Sequence, residues 1–347
     1  MRILYHLTVP PSPMPACDAV VQEVDALRKL SGGDSQIVYL YPARKLGTRF
    51  PRRWWGLQHL PSLRRAERAQ RVDVHHIFNP DPFPFDLIRL LRRPIIYTAV
   101  AGACSSDYEA VLRLARRVHT LVVPDESERA RLRERGVPAA RVVAIRPGID
   151  IARFAPIAPP TGKPFTLLMG SAPWTVDQFE SKGVNALLEA AQRRADLRLI
   201  FLWRGLHGEE MNRRVARLGL SDRVTIVDQV VDVNDVLTHA HAAIVLAQSA
   251  SLVKAYPHSL LEALAVGRPV LVSRAIPMAA YVEQTGCGTV VEAVKVENLL
   301  SALAKLEASY ESYQAAALEV GQRDFSQRDM VEAYRRLYLS ALSGTQR

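Results

Sequence analysis

The stretch Lys254-Ala-Tyr-Pro257-His-Ser-Leu-Leu-Glu262-Ala-Leu-Ala-Val-Gly267-Arg-Pro269-Val-Leu-Val-Ser273 reads as one short helix followed by one buried strand. Pro257 sets the helix start and Gly267 suits its C-terminal stop. Pro269 opens an apolar run with no polar alternation, the pattern of a parallel strand covered on both faces. A helix feeding directly into such a strand is the repeating unit of a doubly wound α/β sheet.

The same alternation extends outward in both directions. Strands are predicted at Phe165–Met169, Leu197–Trp203, Val224–Val227, Ala242–Ala247 and Pro269–Ser273. Helices fall between them at Val184–Arg193, Glu209–Leu218, Val233–Ala240 and Ser259–Val266. Nearer the N-terminus, Met1–Thr8, Gln36–Leu40, Val74–Phe78, Ile95–Val100 and Leu121–Val123 read as strands, and Ala19–Leu30 and Glu126–Arg135 as helices. Residues 155–164 carry four prolines and no periodicity, which marks a linker between two α/β domains. Asp329–Leu342 has one apolar or aromatic face and closes the chain as a helix. Two such sheets facing each other leave a cleft at the carboxyl ends of their strands, where α/β sheets bind ligands.

The chain has 347 residues, 48% hydrophobic and 23% charged, which fits about two globular domains and excludes disorder. It has no apolar run of about 18 residues and no N-terminal signal pattern, so neither a membrane-spanning helix nor a secretory leader is expected. Cys17, Cys104 and Cys287 are far apart, and the expectation is free thiols in a reducing cytoplasm. Residues 1–150 hold 24 Lys/Arg against 15 Asp/Glu, so almost all of the net charge of +10 lies in the first half. That field attracts anions.

Several chemistries lose their sequence support. Pro10–Pro15 stands where a Gly-x-Gly-x-x-Gly would follow the first strand, and no P-loop or Gly-x-Ser-x-Gly exists. His75-His76 and His239-x-His241 do not share a helical face, so a metal site is not expected. The helix at 258 is the informative element. Its first turn offers unpaired amides and the positive end of a dipole to a phosphate. Glu262 sits one turn on, near the face of His258, where a carboxylate can accept from vicinal hydroxyls such as a ribose's. It reads equally as a carboxylate favourable to the helix dipole.

Here the chain resembles the retaining GT-B-fold glycosyltransferases of glycosyltransferase family four, the group 1 type. Ser259-Leu-Leu-Glu262-Ala-Leu-Ala-Val-Gly267-Arg-Pro-Val270 matches that family's segment around its second glutamate. Arg146-Pro-Gly-Ile-Asp150-Ile-Ala-Arg-Phe154, Gly170-Ser171 with Lys182-Gly183-Val184, and Phe325-Ser326 agree in order. The resemblance implies a GT-B architecture. In it, 1–154 is an acceptor-side domain, 155–164 a linker and 165–325 a sugar-nucleotide-binding domain, and 326–347 is a helix returning to the first domain.

It further implies a nucleoside-diphosphate sugar as co-substrate, with no separate cofactor and no required metal. Glu262 would take the ribose, the amides near Ser259 and Leu260 the diphosphate, and Lys182 the β-phosphate. Lys182 and Glu262 are the implied catalytic pair. The implied donor contacts are Gly170, Ser171, Lys182, Arg204, Lys254, His258, Ser259, Leu260 and Glu262. Lys182 reads otherwise as a solvated lysine at a helix start, and Arg204 as a surface residue. Gly170 and Gly102 would permit close approach of the donor.

Three positions depart from the family pattern. Lys254 stands where the first glutamate belongs, which fits an acidic sugar or a phosphate, or impaired transfer. Ser171 replaces an arginine, and the longer interval to Lys182 contains Trp174. No histidine follows Tyr97-Thr98. The alternatives are therefore a catalytically weak relative that binds a sugar nucleotide as a partner subunit, and a GT-B sugar-nucleotide epimerase.

Residues 44–71 mix arginines with Phe50, Trp54, Trp55 and leucines. Basic amphipathic segments with Trp sit at anionic membrane surfaces. The expectation is a cytoplasmic enzyme, peripheral on the inner membrane face, that acts on a lipid-linked or phosphorylated acceptor in polysaccharide or glycolipid synthesis. The other reading is a solvated helical face with both tryptophans in the core. No nucleic-acid module is visible.

Overall fold

The computed structural model describes residues 1–31, 35–41, 51–103, 107–203 and 205–343. The chain forms two compact units, residues 1–147 with the segment from Gln327 onward, and residues 148–326.

The first unit is a six-stranded sheet of β1 (Ile3–Leu7), β2 (Ile37–Tyr39), β3 (Val74–Asn79), β4 (Ile95–Ala99), β5 (Thr120–Val123) and β6 (Val142–Ala144). The order is β2-β1-β3-β4-β5-β6 and every pairing is parallel. Its helices are α1 (Ala19–Arg28), α2 (Leu60–Arg68), α3 (Tyr108–Ala115) and α4 (Glu126–Glu134), with the last helix of the chain described below. Alternate strand residues feed two cores. Leu4, Ile77, Tyr97 and Leu121 pack with Leu63 and Leu114 on one face, and Tyr5, Leu7 and Phe78 pack with Val24 and Leu27 on the other.

The second unit repeats the plan with β7 (Phe165–Met169), β8 (Leu197–Leu202), β9 (Val224–Val227), β10 (Ala242–Val245), β11 (Val270–Ser273) and β12 (Gly288–Val291). Its order is β12-β11-β10-β7-β8-β9, again all parallel. The helices are α5 (Gln178–Ser181), α6 (Val184–Arg193), α7 (Gly208–Arg217), α8 (Val233–Leu237), α9 (His258–Ala265), α10 (Met278–Thr285), α11 (Val296–Ala308) and α12 (Tyr310–Asp324), and α13 (Gln327–Ser343) belongs to the first unit. Strand order reverses between β7 and β10, so the loops leaving those two strands diverge and leave a crevice at the carboxyl edge.

Buried polar groups fix the last helix. His76 on β3 is fully buried, and its Nδ1 meets Tyr338 Oη at 2.7 Å while its Nε2 meets Thr98 Oγ1 at 2.8 Å. Thr98 Oγ1 also meets Tyr334 Oη at 3.0 Å. Burial lowers the His76 pKa to about 3, so this network is uncharged near neutrality. The proline-rich stretch is irregular backbone tied down by Arg268, which is fully buried and donates to the carbonyls of Ile157, Ala158 and Leu237 at 2.7, 2.8 and 3.2 Å.

Helix α9 is apolar almost all round, with Leu260, Leu261, Ala263, Leu264 and Ala265 buried. Such a helix belongs inside a domain. It is held from behind by α12, where Gly321 lies directly on its backbone. A Cβ at position 321 would stand 2.2 Å from the carbonyl carbon of Leu264 and 2.5 Å from the Ala265 nitrogen. Neither atom can yield without moving a helix. Gly321→Ala is therefore expected to cost about 1–3 kcal/mol or more as an overpacking change. Urea unfolding checks this, and an unchanged midpoint would refute the close contact.

Candidate functional site

The crevice between β7 and β10 brings the sequence-selected residues of the second unit together. Gly170 ends β7, and a Cβ there would lie 2.6 Å from Ser259 Cβ and 2.9 Å from Ser259 Oγ. The β7 loop and the first turn of α9 are thus in van der Waals contact only because residue 170 has no side chain. Lys182 follows α5 and is 3% exposed. Its Nζ donates to the Ala172 carbonyl at 3.1 Å and lies 3.4 Å from Ser171 Oγ. The lysine is no solvated helix-start residue. Gly183 explains its placement, with a left-handed φ of 71° and an absent Cβ that would fall 2.7 Å from Leu246, just after β10. Gln248 N donates to the Ser181 carbonyl at 2.8 Å and joins the same two loops.

At the start of α9, the Leu260 and Leu261 amides both donate to the Pro257 carbonyl, at 3.0 and 3.2 Å. Pro257 gives no side-chain cap. Of the two amides selected from the sequence, Leu260's is taken up within the helix, and Ser259's has no backbone partner among the described residues. His258 is buried, and its Nε2 accepts from Lys254 Nζ at 3.1 Å. Lys254 thus lies against the amino end of α9 and adds a cation to the positive end of the dipole.

Glu262 is one turn further on. Burial raises its pKa to about 7, the Arg153 charge acts in the opposite direction, and the Asp232 charge adds to the rise. A half-covered carboxyl group in that state is a ready acceptor for hydroxyl donors, which would draw it toward the ionised form. The structure thus brings Gly170 against Ser259, Lys182 against Ser171 and Lys254 against His258, with Leu260 in the same first turn of α9 and Glu262 one turn on, in electrostatic reach of Arg153 and Asp232. Arg204 lies outside the described residues.

The first unit corrects two readings. Gly102 has a φ of 91°, and a Cβ on it would lie 2.4 Å from Glu128 Oε1. Its bareness accommodates that carboxylate, which accepts from the Ala103 amide at 3.0 and 3.1 Å, rather than a donor. The paired tryptophans part company. Trp54 is 37% exposed under the Arg53 guanidinium, 5.0 Å from its ring. Trp55 is half-buried and stacks on Phe85 with ring centres 6.3 Å apart. Residues 44–50 lie outside the described residues. Among the described residues no helix is long and apolar enough to cross a membrane, and no group of three His, Cys, Asp or Glu is arranged for a metal.

The fold and this site define a GT-B glycosyltransferase. Residues 173–319 match Glycosyl transferases group 1, and residues 21–153 match Glycosyltransferase Family 4. The chain belongs to that family of enzymes. The fold extends to solved structures of low sequence identity. HepE of Anabaena, in complex with UDP-glucose, superposes with a TM-score of 0.70 at 14% identity over 98% of this chain and 100% of that one. Sucrose-phosphate synthase from Thermosynechococcus elongatus gives 0.71 at 16% over 99% and 100%. The lipopolysaccharide outer core galactosyltransferase WaaB gives 0.67 at 14% over 98% and 99%. A sequence search of curated proteins finds no match.

Gly170→Ala is expected to destabilise the second unit by about 1–3 kcal/mol through the clash with Ser259. Adding Ser259→Gly removes the atoms struck and should restore most of the loss. Failure of that rescue in thermal or urea unfolding would break the inferred contact.

Proposed function

We propose that the enzyme transfers a sugar from a nucleoside diphosphate donor bound at the amino end of α9, with retention at the anomeric carbon and without a required metal. The carrying observation is the convergence of Gly170, Lys182 and Ser259 in the crevice, with Glu262 one turn along the same helix. In this reading the Ser259 amide and the helix dipole hold the diphosphate. Lys182, already desolvated, opposes the charge that develops on the leaving β-phosphate. Glu262 takes the ribose hydroxyls, and Lys254 with His258 faces the transferred sugar or its phosphate. The UDP-glucose bound by HepE makes a uridine donor the first to test.

The acceptor in this reading is lipid-linked or phosphorylated, met by the first unit at an anionic membrane surface. Arg53 and exposed Trp54, followed by the arginines of α2, supply the attraction, with each basic residue near the lipid adding about 1 kcal/mol. Co-sedimentation with phosphatidylglycerol vesicles should exceed that with phosphatidylcholine alone and fall in Arg53→Ala/Trp54→Ala. Equal pelleting of both proteins would remove the membrane surface from the account. Lys254 favours the second reading, binding without transfer. Turnover of a sugar-nucleotide panel separates the two, and product analysis without acceptor separates an epimerase.

Two measurements test the donor site. UDP should raise the thermal midpoint of the wild type and not that of Glu262→Ala, whose unliganded fold should persist. Lys182→Met should lower turnover by about 10²–10³-fold.

The Glu262 pKa of about 7 adds a proton signature. In the free enzyme the folded state holds this proton between the ordinary carboxyl pKa and about 7, so the stability it contributes is present at low pH and is lost as pH rises through about 7. Ribose hydroxyls donating to the carboxylate reverse that preference. UDP binding near pH 6.5 should therefore release protons, read by calorimetry in buffers of different ionisation enthalpy. The terminal phosphate of UDP, which titrates at about 6, adds the same release in any variant, so Glu262→Gln should release fewer protons than the wild type, and equal release from both proteins would separate Glu262 from the ribose.

A further inference from the structure

At the amino ends of β3 and β4, on the edge of the first sheet opposite the strand-end loops, lies a cavity of about 300 Å³ lined by Arg64, Glu67, Arg68, Gln70, Arg92 and Arg93. That size is at the small end of ligand pockets. Among the described residues none of the four arginines forms an ion pair, and Glu67 is the only carboxylate among the lining residues. Arg64 Nη1 is buried and has no hydrogen-bond partner. Arg64 as a whole is half-buried, but a guanidinium N–H withdrawn from water without an acceptor is costly, and an anion resolves it.

The one acid in the cavity does not neutralise it. Glu67 is 5% exposed. Its Oε1 accepts from the Arg92 and Arg93 amides at 2.7 and 3.2 Å and meets His75 Nε2 at 3.2 Å. His75 Nδ1 in turn meets His6 Nε2 at 2.9 Å, so a buried His6–His75–Glu67 chain fixes the carboxylate. Burial opposes its ionisation, but the His75 and amide hydrogen bonds prevail and bring the Glu67 pKa down to about 2. Its Oε2 is buried without a partner. The cavity therefore presents four unpaired guanidinium groups and one unfilled acceptor. This combination suits an oxyanion that also carries a hydroxyl. Gln70, two residues after α2, keeps a left-handed φ of 53° where glycine is usual, and it lines the same cavity.

We propose that this pocket binds a phosphate group bearing a P–OH or an adjacent hydroxyl, with Arg64, Arg68, Arg92 and Arg93 on the anionic oxygens and Glu67 Oε2 accepting from the hydroxyl. The site does not rest on the donor reading, because it uses no residue of the second unit.

The test is calorimetric titration of inorganic phosphate into the full chain, with chloride adjusted to constant ionic strength. Saturable binding is expected in the wild type, weakened at least tenfold in Arg64→Gln and retained in Lys182→Met. If Arg64→Gln does not fold, the exposed-rim variant Arg68→Gln/Arg92→Gln should show the same weakening. A second arm uses phosphatidylcholine vesicles containing phosphatidic acid. Vesicle binding that inorganic phosphate displaces identifies a headgroup, and binding of free phosphate alone identifies a soluble ligand. Either supports the pocket. Absence of binding to both probes, binding undiminished in the arginine variants, or loss in Lys182→Met alone overturns it.

Discussion

The site depends on two bare backbone positions that grip α9 from opposite sides. Gly321 of α12 lies against the Leu264–Ala265 peptide behind the helix, and Gly170 at the end of β7 lies against Ser259 in front of it. Neither contact tolerates a methyl group. A helix eight residues long is marginal by itself. Its packing fixes where its amino end and Glu262 are placed. The strand reversal between β7 and β10 opens the space in front, and Gly183 against Leu246 delivers Lys182 into it.

Much of this was legible in the sequence because the second unit is written in strong signals. Apolar strands such as Phe165–Met169 and Ala242–Val245, proline before α9 and glycine after it, each state their element locally. Of the elements the sequence reading leaves out, α3, α10 and α11 carry an ordinary apolar helical pattern, and others have weak local signals. β6 is three residues, β12 opens on a glycine, and α12 buries only Ala317, Val320 and Gly321, too small a stripe to stand out. The grip of Gly321 on α9 is a contact between positions 57 residues apart and has no local signature. The same holds for Arg268, which reads as a surface residue between a glycine and a proline yet is fully buried on three carbonyls. A count of charges shows the basic surplus of the first half but not that four of its arginines, spread along the sequence at 64, 68, 92 and 93, line one cavity.

The two units use polar burial differently. The first places His6, His75 and His76 inside its sheet, each in a hydrogen-bonded network. One network fastens α13 and the other fixes Glu67. In the second unit Arg268 is buried for structure, whereas Lys182 and His258 are buried beside the crevice. Lys182 is held there by the Ala172 carbonyl and by the glycine that follows it. That placement separates a group kept for chemistry from one kept for structure.

The central claim is that the Ser259 amide is the group at the amino end of α9 that receives the donor's diphosphate. The most direct test is an amide-resolved NMR titration of the full chain with UDP. The account predicts that the Ser259 N–H resonance moves downfield and is among the largest changes. UDP binding that leaves Ser259 unmoved while other amides shift would contradict it.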